Sequence, residues 1–112
     1  MEEVNTYDKG IKEKKIELLI ADDSKMNREI LKEILGDEYI VTEAKDGTEA
    51  IELLKKEEDS FSALILDLNM PEINGYQVLE WMNEEYVIER IPVIVILAED
   101  NHENIEKAIR IR

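Results

Sequence analysis

The sequence predicts an α/β fold built on a parallel sheet, and three observations agree on this. Short apolar runs alternate with longer segments of helical periodicity, the pattern of strands that alternate with helices. The chain has 112 residues, which suits one domain and is too short for two ordinary ones. Hydrophobic residues make up 44% of the chain and charged residues 38%, a balance typical of globular and not of disordered proteins.

Four strands are predicted from residue 16 onward. They cover Ile16–Ala21, Tyr39–Ala44, Ala63–Leu68 and Val93–Leu97. The fourth strand follows Pro92 and is apolar at every position, which predicts a strand covered on both faces. The sequence stops at Arg112, before any fifth strand.

Each strand is followed by a predicted helix with an apolar face. The first helix ends at Gly36, the second begins after Asp46 and Gly47, and the last begins near Asn101. The apolar faces comprise Met26, Ile30, Leu31, Ile34 and Leu35 in the first helix, Ala50, Ile51, Leu53 and Leu54 in the second, Val78, Leu79 and Met82 in the third, and Ile105, Ala108 and Ile109 in the last.

Composition and charge exclude several classes of function. The chain has no Cys, so disulfide scaffolds, thiolate zinc sites and cysteine nucleophiles are ruled out. Its net charge of −14 opposes direct binding to nucleic acid. No apolar run approaches the roughly 20 residues of a membrane span, and no signal peptide is visible. Residues 1–15 are predicted to form a polar, flexible leader. We expect a cytoplasmic protein that binds no membrane.

Three acidic residues lie at the ends of two predicted strands. Asp22 and Asp23 follow the first strand, and Asp67 closes the third. Ligands of parallel α/β sheets gather at the carboxyl ends of the strands, so the three acids converge if these strands are neighbours. Two carboxylates about 5 Å apart repel by roughly 3 kcal/mol at an effective dielectric near 20, which favours a bound cation. Mg²⁺ suits such oxygen ligands.

Simpler roles exist for each of these acids. Asp22 and Asp23 could only cap the first helix, and Asp67 could only open a turn. These roles explain each acid separately but not the three together. The loop after Asp67 adds Pro71, which restricts the backbone, and Gly75, which permits either a positive φ or a close backbone approach.

The sequence resembles the receiver domains of two-component response regulators, and chemotaxis regulators in particular, from Ile16 to about Arg112. The matching pieces are Leu18-Leu19-Ile20-Ala21-Asp22-Asp23-Ser24, Ala44-Lys45-Asp46-Gly47 with Glu49-Ala50, Leu64-Ile65-Leu66-Asp67-Leu68-Asn69-Met70-Pro71 with Gly75, and Ile91-Pro92-Val93. The resemblance implies a flavodoxin-like parallel sheet in the order 2-1-3-4-5. Residues 16–112 would then form a receiver domain with order 2-1-3-4, in which the fifth strand and helix are missing.

The resemblance also implies a function for the acidic cluster. Asp67 would accept a phosphoryl group from a histidine kinase or a phosphotransfer protein. Asp22, Asp23, Asp67 and the main-chain carbonyl of Asn69 would gather Mg²⁺, directly or through water. Such a domain is regulatory and is not an enzyme. Phosphohydrolases with a strand-end Asp nucleophile need a second Asp two residues later, and Asn69 stands there instead.

The chain departs from the receiver pattern at two places. Receivers usually carry Ser or Thr at the end of the fourth strand, where this chain has Leu97, which has no hydroxyl to donate. The backbone N–H of Ala98 could still face a phosphoryl oxygen. The family's Lys after the fifth strand has no counterpart before the chain ends. A non-switching interaction module therefore stays open beside the phosphoacceptor.

An uncovered fourth strand predicts a further property. Without a fifth strand, Val93–Leu97 would be an exposed edge with no charge and no bulge, and such edges pair with other strands. We expect either a homodimer that pairs two fourth strands or a fragment of a longer regulator.

Overall fold

The computed structural model describes residues 16–96, and in this range four strands form one parallel sheet. The strands are β1 (Ile16–Ala21), β2 (Tyr39–Ala44), β3 (Ala63–Asp67) and β4 (Val93–Ile96). Their order is β2-β1-β3-β4, and all three neighbouring pairs are parallel. The predicted fold class and strand order are thereby confirmed. The polar leader, Leu97, Ala98 and the last predicted helix lie outside the described residues.

Three helices connect the strands, and local side chains determine where each begins. They are α1 (Lys25–Leu35), α2 (Gly47–Glu57) and α3 (Gly75–Glu84). The side chains of Ser24, Asp46 and Asn74 accept hydrogen bonds from backbone amides in the first turn of α1, α2 and α3 respectively. Each bond satisfies an amide that has no partner within its helix. Short 3-10 turns follow α2 at Glu58–Ser60 and α3 at Val87–Glu89.

The larger apolar cluster lies between the sheet and the helices α2 and α3. Leu19, Leu64 and Leu66 contribute from the strands and are fully buried. Ala50 and Leu54 of α2, together with Val78, Leu79 and Met82 of α3, contribute from the helices, as their periodicity predicted. This cluster packs against the carboxyl ends of β1 and β3 through Ala21 and Leu66.

Helix α1 covers the opposite face less completely than the sequence predicted. Leu31 and Leu35 pack against Leu18, Ile20 and Ile65 of the sheet. The other members of its apolar stripe are exposed: Met26 (68%), Ile30 (47%) and Ile34 (69%). The stripe spans more of the helix circumference than the sheet can cover, because no second helix among residues 16–96 lies beside α1 on this face.

The prediction that β4 is covered on both faces is wrong for the described residues. Val93 and Val95 pack against the larger cluster, but Ile94, on the side of α1, is 55% exposed. Ile94 pairs with Ile65 in the register of β3, and α1 does not reach across to cover it. No helix among residues 16–96 is both long enough and apolar enough to cross a membrane.

Candidate functional site

The strand register brings the three predicted acids together. Because β1 pairs with β3 and Ala21 lies opposite Leu66, the residues that follow them meet at the carboxyl edge of the sheet. One carboxylate oxygen from each of Asp22, Asp23 and Asp67 lies within 4.8 Å of the others. The predicted convergence of these three residues is therefore what the structure shows.

Burial distinguishes the three acids from one another. Asp22 is 2% exposed and Asp67 is 5% exposed, whereas Asp23 is exposed at the mouth of the site. Burial, together with the negative charges of Asp22 and Asp23, raises the pKa of Asp67 from its ordinary value of 3.8 to about 6, against the opposing effect of the Asn69 amide. The site therefore carries a charge repulsion that a cation would relieve.

Asp22 is held by donors from the start of α1. Its Oδ1 accepts a hydrogen bond from the Ser24 amide at 2.9 Å, and its Oδ2 accepts one from Asn27 Nδ2 at 3.3 Å. Ser24 also caps α1 through the Asn27 amide. The simple role of Asp22 as a helix cap is thus filled by Ser24, and the Asp22 carboxylate is oriented toward the cluster.

Arg28 is part of the site and was not predicted from the sequence. Its Nη1 donates to the main-chain oxygen of Asp22 at 2.7 Å, and its Nε donates to Glu43 Oε1 at 2.8 Å. The Arg28 guanidinium, and then the Lys32 ammonium, hold the pKa of Glu43 below its ordinary value. The signal that could have revealed this group was positional: Asn27 and Arg28 follow Asp22 by five and six residues, so they lie one turn into the helix that begins beside it.

The loop after β3 fixes Asp67 from the other side. The Asn69 amide donates to Asp67 Oδ1 at 3.0 Å. A Cβ on Gly75 would lie 2.5 Å from the Asp67 main-chain oxygen and 2.6 Å from Leu68 Cα. Of the two roles open to Gly75, the structure selects close backbone approach, because its φ is not in the left-handed region. The N-terminus of α3 can thereby pack directly against the end of β3.

The donor set fits Mg²⁺. All three acids offer the hard oxygen ligands that this ion prefers. Their oxygens lie within 4.8 Å of one another, close enough for all three acids to face one ion. The carbonyl of Asn69 stays a predicted ligand.

These features define a class of protein: a doubly wound α/β domain with an acidic cluster, able to hold a cation, at the carboxyl edge of its sheet. The response regulator receiver domain family matches residues 18–112, and the chain belongs to this family. Receiver domains are regulatory, and acceptance of a phosphoryl group is their general function.

Individual relatives support the same assignment. The chain is 36% identical over 98 residues to a chemotaxis protein CheY homolog of Campylobacter jejuni. The aligned region covers 85% of this chain and 74% of the relative. It is 32% identical over 93 residues to the two-component response regulator ORR5 of Oryza sativa, covering 82% and 69%. The solved structure of chemotaxis protein CheY4 from Vibrio cholerae superimposes with a TM-score of 0.77 at 25% identity, covering 88% of this chain and 81% of that one.

Proposed function

We infer that this receiver domain accepts a phosphoryl group on Asp67 from a phosphohistidine of a histidine kinase or a phosphotransfer protein in the cytoplasm. Mg²⁺ would be held by Asp22, Asp23, Asp67 and the carbonyl of Asn69. The observation that carries this proposal is the convergence of three carboxylates within 4.8 Å at the edge of the sheet, two of them almost fully buried. A merely structural turn would not bury two like charges together.

The chemistry follows from the way Asp67 is held. The Asn69 amide orients the carboxylate by donating to Oδ1, and we assign Oδ2 as the nucleophile. Its attack forms a phosphorus–oxygen bond while the phosphorus–nitrogen bond of the donor breaks, and the released imidazole takes a proton from solvent. When bound by these acids, Mg²⁺ would supply positive charge that offsets the charge on the transferring oxygens. The Ala98 N–H is the remaining proposed contact to the phosphoryl group, and Leu97 contributes no hydroxyl.

A small phosphodonor tests this function without a kinase. We expect the intact protein to gain the mass of one phosphoryl group when it is incubated with acetyl phosphate and Mg²⁺, as measured by mass spectrometry. Asp67→Asn should gain none, because the amide cannot act as the nucleophile. Asp46→Asn is the matched control: this residue also follows a strand, and Asn retains its role as the cap of α2. An unmodified wild-type protein, or an adduct that persists in Asp67→Asn, would disprove the assignment.

A second function is favoured by the open side of β4. Among residues 16–96, β4 pairs only with β3, and Ile94 is exposed on it. A groove of about 300 Å³ lies beside it, lined by Ile30, Leu31 and Ile96 together with Asp22 and Asn27. In this proposal two copies pair their fourth strands across a two-fold axis and form a non-switching homodimer.

Light scattering over a range of protein concentrations tests this second function. We expect a dimer that strengthens with added salt, because each chain carries a net charge of −14 and salt screens the repulsion between copies. Ile94→Lys should yield a monomer, whereas Ile40→Lys, at a similarly exposed position on the other edge strand, should not. A wild-type monomer at all concentrations would rule this function out.

A further inference from the structure

Arg28 contacts the peptide group that joins two acids of the site. The main-chain oxygen of Asp22, which accepts from Arg28 Nη1 at 2.7 Å, belongs to the same planar peptide unit as the amide of Asp23. Changes in ψ of Asp22 or φ of Asp23, the two dihedrals on either side of this plane, would turn the two carboxylates relative to each other and to Asp67. One hydrogen bond therefore acts on the spacing of two acids at once.

The surroundings of Arg28 hold its side chain in place. Its Nε donates to Glu43 at 2.8 Å, and only 13% of the side chain is exposed. Glu43 is bound in turn by Lys32 Nζ at 3.0 Å. The peptide unit before Asp22 is also fixed, because the Asp22 amide donates to the Ala44 oxygen of β2 at 3.1 Å. Strand β2 thus supports Asp22 on both sides, directly through Ala44 and indirectly through Glu43 and Arg28.

We propose that Arg28 is a positioning residue, which holds the Asp22–Asp23 peptide in the orientation that cation binding needs, and that Glu43 holds Arg28. This inference rests on the proposed function, since it concerns the cation site beside Asp67. The planar guanidinium binds both partners in a fixed geometry, which a lysine ammonium cannot reproduce. Groups that orient metal ligands in this way commonly change metal affinity by about 10-fold to 100-fold when they are removed.

If Arg28 acted on Mg²⁺ binding only through its positive charge, its effect would have the opposite sign to that of a positioning residue. The guanidinium is positive and repels a cation, so its removal would tighten Mg²⁺ binding if Arg28 acted only through its charge. If Arg28 positions the acids, its removal weakens binding. The sign of the change therefore separates the two roles.

A titration of isotope-labelled protein with MgCl₂, followed through backbone amide resonances, measures this sign. For Arg28→Gln we expect the dissociation constant of Mg²⁺ to rise about 10-fold, the lower end of the range for ligand-orienting groups. Arg28→Lys should lose part of the affinity although it keeps the charge. Lys32→Gln is the matched control, since it removes one positive charge from the same helix and the same Glu43 but does not contact the Asp22 peptide. Unchanged or tighter binding in Arg28→Gln would overturn the positioning role.

The metal-free protein provides a separate measurement. We expect relaxation dispersion at the Asp22 and Asp23 amides to increase in Arg28→Gln and to stay at the wild-type level in Lys32→Gln. Wild-type protein that binds no Mg²⁺ would refute the proposed function, whereas rigid Asp22 and Asp23 amides in Arg28→Gln would refute only the inference on Arg28. If Arg28→Gln does not fold, Glu43→Gln takes its place, and wild-type Mg²⁺ affinity in that variant would equally overturn the proposal.

Discussion

In the metal-free protein, the contribution of Asp67 to stability is expected to fall as the pH rises from about 4 to about 6. Its pKa in the folded protein is about 6, above the ordinary value of 3.8, so the folded state binds more protons than the unfolded state between these values. Rising pH then favours unfolding. A pKa difference of this size corresponds to at most about 3 kcal/mol of unfolding free energy, which is lost once Asp67 is fully ionised.

Asp67→Asn isolates this contribution from that of the other acids. Urea unfolding in the presence of a chelator should show that the variant is more stable than wild type at pH 7.5 by up to about 3 kcal/mol, with the difference vanishing near pH 4. Saturating Mg²⁺ should reverse the order, because the ion stabilises the wild-type cluster and loses a ligand in the variant. A stability difference that does not change with pH would contradict the raised pKa of Asp67.

Gly75→Ala is expected to destabilise the protein by about 3 kcal/mol, because the added methyl group has no room. Its Cβ would meet the Asp67 oxygen at 2.5 Å and Leu68 Cα at 2.6 Å, and both atoms are backbone atoms that cannot rotate away. The end of β3 or the start of α3 must shift, and Asp67 shifts with it. Thermal or urea unfolding measures the loss of stability, and the acetyl phosphate reaction should slow in the folded fraction.

Glu72→Gly is a control in the same loop, and we expect it to leave the stability nearly unchanged. Glu72 has a φ of 62°, a left-handed conformation that costs a residue with a Cβ about 1 kcal/mol. Glycine relieves this cost but adds freedom to the unfolded chain, so the stability of Glu72→Gly should be close to that of wild type. Wild-type stability in Gly75→Ala would show that α3 and β3 can separate without cost, contrary to the packing described above.

Much of the site was predictable because its signals are local. Asp22 and Asp67 each follow an apolar run, and the position of an acid directly after a strand can be read without knowledge of the fold. The strand order was predicted only through the resemblance to receiver domains, since no local pattern states which strands are neighbours. Arg28 was missed because neither of its partners can be read from a local pattern. One is the main-chain oxygen of Asp22, and the other is Glu43 of β2, 15 residues away along the chain.

The exposed residues of α1 and β4 also show that sequence patterns do not reveal which elements are neighbours. The sequence pattern correctly placed Ile30 and Ile34 in a helix and Ile94 in a strand. Whether such a residue is buried depends on which element lies opposite it. Among residues 16–96 nothing covers them, and so the apolar pattern overestimated their burial.

The alternation of strands and helices and the candidate acids could be read from the sequence, because each depends on backbone preferences and side-chain chemistry within a few residues. Three properties could be read only from the folded chain: the three acids lie within 4.8 Å of one another, Asp67 has a raised pKa, and Arg28 binds the peptide between Asp22 and Asp23. These properties depend on distances between residues far apart in the chain, and the pairing of β1 with both β2 and β3 creates those distances.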